Sequence, residues 1–99
     1  MAPKELKALR LLMDYPKGLY GSEMVALSEG YLSRGTIYTL LDRLVDKGYI
    51  REIAEPPTPS LQIGRTRHRI TGSGQRAVAE YAREMGFVIE RTVVQGAGI

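Results

Sequence analysis

The 99-residue sequence contains no cysteine and no tryptophan, and it has a single histidine and a single phenylalanine. Without cysteine, the chain can form neither a disulfide bond nor a zinc site with thiolate ligands. One histidine is too few for a histidine-based metal site, because such a site needs several ligands. We therefore expect no metal ion and no cofactor, and the absence of cysteine is compatible with a reducing cytoplasm.

Long apolar runs and catalytic motifs are missing as well. No stretch of about 18 apolar residues could cross a membrane, and the N-terminus has no signal-peptide pattern. The carboxylates are scattered singly, and we find neither a glycine-rich phosphate loop after a strand nor a nucleophile–base pair. The sequence therefore predicts a soluble cytoplasmic protein that has no membrane partner and is not an enzyme.

The composition is that of a globular domain. Hydrophobic residues make up 43% of the chain and charged residues 25%, which suits one domain with a modest core. The net charge of +3 is a mild basic excess and does not by itself imply nucleic acid. Its distribution is more informative, because no carboxylate lies between Pro56 and Glu80 while four arginines do.

The segment 31–50 organises the chain. Apolar side chains recur there at the spacing of an amphipathic helix, which we place at Ser33–Lys47 with Ser33 as its cap. Gly48 is typical of a left-handed helix end, and a strand at 49–54 follows. The apolar stripe comprises Ile37, Leu40, Leu41, Leu44 and Val45.

The flanking segments complete a winged helix-turn-helix. A first helix is expected at Lys4–Tyr15, and a second begins near Gly21 or Ser22, capped by Ser22, and ends at Gly30. The predicted fold class is therefore mainly α with a small β-hairpin (α+β), and the elements follow in the order α1-α2-α3-β-wing-β-α4. The wing spans about 49–70, with a proline-rich loop at 55–60, renewed pairing at 61–63 and a return strand at 65–70. We expect residues 1–71 to form the DNA-binding core and residues 96–99 to form a flexible tail. The region 72–95 between them is the dimerisation segment; its helix is capped by Thr71 and is regular from Gln75 to about Val94.

Two groups of polar residues are candidate DNA contacts. The N-terminal half of the second helix of a helix-turn-helix meets base edges, and Arg34 could read guanine there. Arginines at alternate positions of a strand share one face and could reach phosphates. Alternatively, Ser33 is only a cap, Tyr38 mainly packs, and the arginines form a solvated strand edge. The predicted contacts are Ser33, Arg34, Thr36, Tyr38, Thr39 and Arg43 on the helix, and Arg65, Arg67 and Arg69 on the wing.

His68 is expected on the strand face opposite these arginines, beside Ile70. We interpret it as a packed or hydrogen-bonded histidine rather than a metal ligand, because no second histidine or cysteine is available.

The last helix carries an apolar stripe that extends past the three-helix core. Such a stripe needs a covering partner, and a second copy of the chain is the usual one; the alternative is that helix 1 covers it within one monomer. Gly86 interrupts the stripe. The predicted dimerisation residues are Leu6, Leu9 and Met13 on helix 1, and Val78, Tyr81, Ala82, Met85, Val88, Ile89 and Val93 on the last helix.

Several motifs resemble the PadR family of transcriptional regulators. They are Gly18-Leu-Tyr-Gly-Ser-Glu-Met, Leu32-Ser-Arg-Gly-Thr-Ile-Tyr-Thr-Leu-Leu-Asp-Arg-Leu and Gly64-Arg-Thr-Arg-His-Arg-Ile-Thr-Gly-Ser-Gly. The resemblance covers about residues 6–85 and implies a dimeric winged-helix repressor in which Tyr38 and its neighbours meet DNA. Some members respond to small aromatic or drug-like ligands. This chain departs in its proline-rich wing, in Gly72 and Ser73 where acidic residues are usual, and in its short C-terminal part without tryptophan.

These observations predict a homodimeric, sequence-specific regulator of double-stranded DNA that acts as a repressor. An alternative is a winged helix that serves as a protein-interaction or assembly module, with solvated arginines. A third interpretation, compatible with the first, is a sensor whose small-molecule effector lies at the dimer interface near helices 1 and 4, where Tyr15 or Tyr81 could contact it.

Overall fold

Four helices and a three-stranded sheet build the described part of the molecule. The computed structural model describes residues 1–60 and 64–86. The predicted order of helices and wing strands is confirmed, with one additional strand, β1. The elements are α1 Pro3–Asp14, β1 Leu19–Tyr20, α2 Gly21–Leu27, α3 Ile37–Asp46, β2 Ile50–Glu55, β3 Arg65–Ile70 and α4 Gly72–Met85. No helix within these two ranges is long and apolar enough to span a membrane.

The core lies where the helices meet the sheet. Leu9 and Leu12 of α1 and Leu44 of α3 are fully buried, and burial of such side chains stabilises the fold by about 1.5–3 kcal/mol each. The predicted stripe of α3 is confirmed as a core face, with Val45 half-buried at its edge. Other fully or nearly fully buried core members are Ala8, Leu19, Met24, Leu32, Ile37, Leu41, Ile50 and Val78.

The sheet has the order β1-β3-β2, with both pairings antiparallel. The return strand β3 was predicted correctly at 65–70, whereas β2 is displaced by one residue from the prediction and includes Glu55. The two-residue strand β1 was not predicted, because two residues are too few for an alternating pattern. It pairs Leu19 with His68 and Tyr20 with Arg67, so β3 is the central strand.

Helix α3 begins later than predicted. α3 starts at Ile37, after a turn at 34–36, and Ser33 does not cap it. The Ser33 hydroxyl instead lies 2.7 Å from the Thr36 hydroxyl, while the Ser33 carbonyl accepts the Ile37 N–H at 3.0 Å. Gly35 favours this outcome, because glycine has little preference for helix. Arg34 therefore lies on the turn that precedes the helix.

The turn between α2 and α3 is closed by a buried serine. The Ser28 hydroxyl donates to the Val25 carbonyl at 2.8 Å and accepts the Leu32 N–H at 2.9 Å. The prediction that Ser22 caps α2 is wrong, because the helix begins at Gly21. The Glu23 carboxylate accepts the N–H of Tyr20, the residue before the helix, at 2.8 Å, as a glutamate at the third helical position does.

The bounds of the last helix differ from the prediction at its start. Thr71 caps it as expected, its hydroxyl accepting the Gly74 N–H at 3.0 Å, but the helix begins at Gly72 rather than Gln75. It ends at Met85, where Gly86 adopts the left-handed conformation with φ of 79°, which is a common helix end. The predicted continuation to Val94, the tail at 96–99 and the renewed pairing at 61–63 lie outside the described residues.

Candidate nucleic-acid interface

The outward side of α3 presents Tyr38, Thr39 and Arg43 to solvent. Tyr38 is 58% exposed, yet one edge of its ring is held against α2. A Cβ atom at Gly21 would lie only 2.9 Å from Tyr38 Cε1, so glycine at this position lets the ring approach the backbone. Tyr38 is thus positioned by packing and remains available on the surface.

The turn before α3 adds the cationic side chain of Arg34 to this surface. Arg34 is exposed, and among the ion pairs found in the described residues none involves it. The neighbouring hydroxyls of Ser33 and Thr36 bond to each other, which holds the turn together. The start of α3 therefore offers a guanidinium without an ion-pair partner in residues 1–60 and 64–86, close in sequence to two hydroxyl-bearing residues.

A cleft between the start of α1 and the outward side of α3 extends this polar surface. It has a volume of about 530 Å³ and is lined by Lys4, Tyr31, Thr36, Thr39 and Arg43, with Leu40 at its apolar side. The Lys4 ammonium lies 5.7 Å from the centroid of the Tyr31 ring, within the range of a cation–π contact. Lys4 and Arg43 form no ion pair with another described residue.

An ion pair between a buried carboxylate and an exposed lysine joins α1 to α3 at this cleft. Lys47 Nζ donates to both carboxylate oxygens of Glu5 at 3.1 Å, and Glu5 is only 4% exposed. Glu5 itself lines the cleft, but its carboxylate is paired with Lys47 rather than with Lys4 or Arg43. Sequence reasoning missed Lys4 and Tyr31, since their proximity to α3 depends on helix packing; a lysine in a first turn, where acidic residues are favoured, was the available signal.

The three wing arginines share one face of β3, as predicted, but they are not equally free. Arg67 is half-buried and donates to Glu55 Oε2 at 2.9 Å, the Gly18 carbonyl at 3.1 Å and the Tyr20 hydroxyl at 2.8 Å. Arg69 donates from Nε to the Pro16 carbonyl at 3.0 Å. Arg65 is exposed, and its guanidinium carbon lies 3.5 Å from the centroid of the Tyr20 ring.

The electrostatics of this face follow from those contacts. The Tyr20 hydroxyl donates to Glu55 Oε1, and this bond, with that from Arg67, lowers the pKa of the Glu55 carboxyl. The same bond to Glu55 raises the pKa of the Tyr20 phenol. Because hydrogen bonding to Glu55 also raises the pKa of Arg67, the network favours a charged Arg67–Glu55 pair beside a neutral tyrosine.

His68 lies on the other face of β3 and is 3% exposed, as expected for a packed histidine. Burial lowers its pKa, although Glu52, whose carboxylate is 3.7 Å from Nε2, and Asp42 act in the opposite direction. Its Nδ1 has no hydrogen-bond partner in the described part of the chain. Residues 1–60 and 64–86 contain no group of three or more histidine, aspartate or glutamate side chains that could hold a metal ion.

Burial of neutral His68 should make stability depend on pH. The unfolded chain takes up a proton near the ordinary histidine pKa of about 6.5, whereas folded His68 resists it. The stability present above that pH is therefore lost as pH falls toward the lower folded pKa, at up to about 1.4 kcal/mol per pH unit. Urea unfolding from pH 7.5 to 5 should show this slope in the native chain and not in His68→Phe. Equal slopes in both proteins would contradict it.

The predicted dimerisation residues divide by burial. Leu9, Val78 and Ala82 are buried within the protomer, where α1 packs against α4, as in the alternative that helix 1 covers the stripe within one monomer. Leu6, Met13 and Tyr81 are half-buried, and Met85 is 58% exposed. Val88, Ile89 and Val93 lie outside the described residues.

Besides the cleft at its start, α1 borders further open grooves in the described part of the molecule. One, of about 510 Å³, is lined by Leu6, Tyr31 and Tyr81, among others, and adjoins the helices at which the effector was expected. Another, of about 780 Å³, lies between the end of α1 and α2 and includes Tyr15 and Leu27. The two tyrosines suggested as effector contacts therefore lie in different grooves.

Comparison with known proteins identifies the fold. No protein-family model and no curated protein sequence matches the chain. A crystal structure of a proposed transcriptional regulator from Thermoplasma acidophilum is 18% identical with a TM-score of 0.65, covering 92% of this chain and 88% of that one. A crystal structure of a cysteine-to-serine mutant of MarR from E. coli, in complex with operator DNA, is 17% identical with a TM-score of 0.62, covering 98% of this chain and 71% of that one. At such identities the likeness concerns architecture, and the chain has the winged-helix fold of these proteins.

Proposed function

We propose that this protein is a transcriptional regulator that binds double-stranded DNA as a homodimer and acts as a repressor, in the manner of the PadR family that its sequence resembles. The observation that carries the proposal is the surface formed by α3 and its cleft, where Arg34, Arg43 and Lys4 are cations without ion-pair partners among the described residues. Such cations beside hydroxyl groups suit phosphates and base edges.

The proposed mechanism assigns separate tasks to the residues of this surface. α3 enters the major groove, with Tyr38 and Thr39 facing the bases. Arg34, on the turn before α3, reads guanine, while Arg43 and Lys4 contact phosphates along the cleft. Arg65 is the wing residue best placed for DNA, because it is exposed. The MarR structure, determined in complex with operator DNA, supports double-stranded DNA as the partner.

Dimerisation is supported by the apolar sequence of α4 and the segment after it. Met85 is 58% exposed at the end of α4, and the sequence continues with Phe87, Val88 and Ile89. Two copies joined there would carry two recognition helices and would read a pseudo-palindrome with half-sites about one helical turn apart. An effector in the groove beside Tyr81 would act at the same contact.

Titration of a random-sequence DNA duplex at two salt concentrations, followed by selection of bound sequences, tests the proposal. We expect salt-dependent binding and enrichment of a two-fold-related motif. Arg34→Ala should weaken binding to the selected duplex by about 1–3 kcal/mol and relax one position in each half-site. Binding without enrichment would indicate an architectural DNA-binding protein, and no binding at low salt would contradict the proposal and favour a protein-interaction module.

A further inference from the structure

The Arg67 side chain is engaged in hydrogen bonds on one face of the sheet. Its guanidinium donates to three groups from two other segments: the Glu55 carboxylate on β2, the Tyr20 hydroxyl on β1 and the Gly18 carbonyl just before β1. The donor–acceptor distances are 2.8–3.1 Å. A guanidinium with three acceptors in fixed positions is held far more firmly than one in a simple surface pair.

The backbone before β1 is shaped around this side chain. Gly18 has a φ of 99°, and a Cβ atom there would lie 2.7 Å from the His68 carbonyl oxygen and 2.8 Å from Arg67 Cγ. Only glycine fits without displacing β3. The close approach of residue 18 to β3 therefore places its carbonyl within reach of Arg67.

The network joins all three strands at the base of the wing. Glu55 is the last residue of β2, and its backbone partner Arg65 is the first residue of β3. Tyr20 pairs with Arg67 across β1 and β3, and α2 begins at the next residue. A displacement of the hairpin relative to β1 would break the bonds that Arg67 makes to Tyr20 and Gly18.

We propose that Glu55, Tyr20 and Arg67 form a latch that fixes the direction of the wing relative to the helix-turn-helix, so that Arg67 positions the wing and Arg65 contacts the DNA phosphate. This inference rests on the proposed DNA-binding function. Tyr20 serves both arginines: its hydroxyl is bonded by Arg67, and its ring face lies 3.5 Å from the guanidinium carbon of Arg65. The latch therefore also orients the cation that it leaves exposed.

The direction in which Glu55→Gln changes DNA affinity distinguishes the latch from a direct contact between Arg67 and DNA. If Glu55 merely neutralised a DNA-contacting Arg67, Glu55→Gln would remove a repelling charge and strengthen binding. The latch predicts the reverse: Glu55→Gln and Tyr20→Phe each weaken binding to a duplex selected by the native protein by about three- to tenfold. Glu52→Gln is the matched control, because it removes the same charge from the same strand outside the network, and it should not weaken binding. Unchanged or tighter binding by Glu55→Gln would overturn the proposal.

The salt dependence of binding shows which of Arg65 and Arg67 contacts a DNA phosphate. In a plot of log affinity against log salt concentration, Arg65→Met should reduce the magnitude of the slope by about one unit, because one phosphate contact is lost. Arg67→Met should weaken binding with the slope unchanged. If Arg67→Met lowers the slope by one unit, then Arg67 contacts phosphate and the proposal is wrong.

The free protein provides a test that does not depend on DNA. Residual dipolar couplings should show one hairpin direction relative to α3 in the native chain and in Glu52→Gln, and a broadened distribution in Glu55→Gln and Tyr20→Phe. Identical couplings in all four proteins would overturn the latch even if every protein bound DNA. Failure of the native protein to bind DNA would refute the proposed function, whereas the couplings would still decide whether the latch exists.

Discussion

Gly74→Ala is expected to lower the free energy of unfolding by about 3 kcal/mol, the upper end of the usual cost of overpacking a core. Gly74 is buried in the first turn of α4. A Cβ atom there would overlap the Tyr49 carbonyl oxygen and lie 2.8 Å from Ile70 Cγ1. The carbonyl cannot move freely, because it accepts the Thr71 N–H at 3.0 Å. Urea unfolding monitored by circular dichroism measures the loss.

Gly72→Ala is the matched control for this substitution, two residues earlier in the same turn. A Cβ atom at Gly72 would meet only the flexible end of Arg76, at 3.4 Å, and alanine favours the helix by up to about 1 kcal/mol. The two substitutions should therefore change the free energy of unfolding in opposite directions. Equal stability of both variants would mean that the start of α4 does not pack against Tyr49.

Arg43→Glu should weaken binding to a selected DNA duplex by about 3 kcal/mol, or a hundredfold. The substitution removes a phosphate contact and places a carboxylate in the cleft shared with Lys4 and Thr39. Fluorescence anisotropy at two salt concentrations measures the affinity, and the loss should be larger at the lower concentration because repulsion is less screened.

Arg83→Glu controls for the change in net charge. Arg83 is an exposed residue in the last turn of α4, and its replacement alters the charge of the chain by the same amount. Its effect on affinity should remain within about threefold. Comparable losses in both variants would show that DNA responds to the overall charge and not to the α3 surface.

The elements that were predicted correctly owe this to regular local patterns. The apolar stripe of α3 recurs over three turns, so the helix and its buried face followed from spacing alone. The return strand β3 followed from alternation and from Gly64 before it. By contrast, the start of α3 depends on a choice between a helical turn and a tighter turn at 34–36, and the two differ by little more than the preference of Gly35.

The candidate site required tertiary information that no local pattern contains. The count of carboxylates between Pro56 and Glu80 gave an unopposed arginine face, but the partner of Arg67 is Glu55, one residue outside that interval and on the facing strand. Likewise, the periodicity of apolar residues indicates that Leu9 and Val78 are buried. It does not indicate whether they are buried within one protomer or against a second copy of the chain. Lys4 reaches the cleft because α1 packs against α3, where Glu5 and Lys47 join the two helices, and Tyr31 reaches it from the turn between α2 and α3.

The central position of β3 has a consequence for how this protein could diversify. β2 pairs with all six residues of β3 and β1 pairs with two of them, and the last backbone pair before the wing loop joins Glu55 to Arg65. The loop beyond this pair begins with Pro56 and Pro57, and insertions in such surface loops cost little, about 0.6 kcal/mol for each doubling of length. Insertions or deletions after Glu55 could therefore change the reach of the wing along DNA while the core and the recognition helix stay as they are.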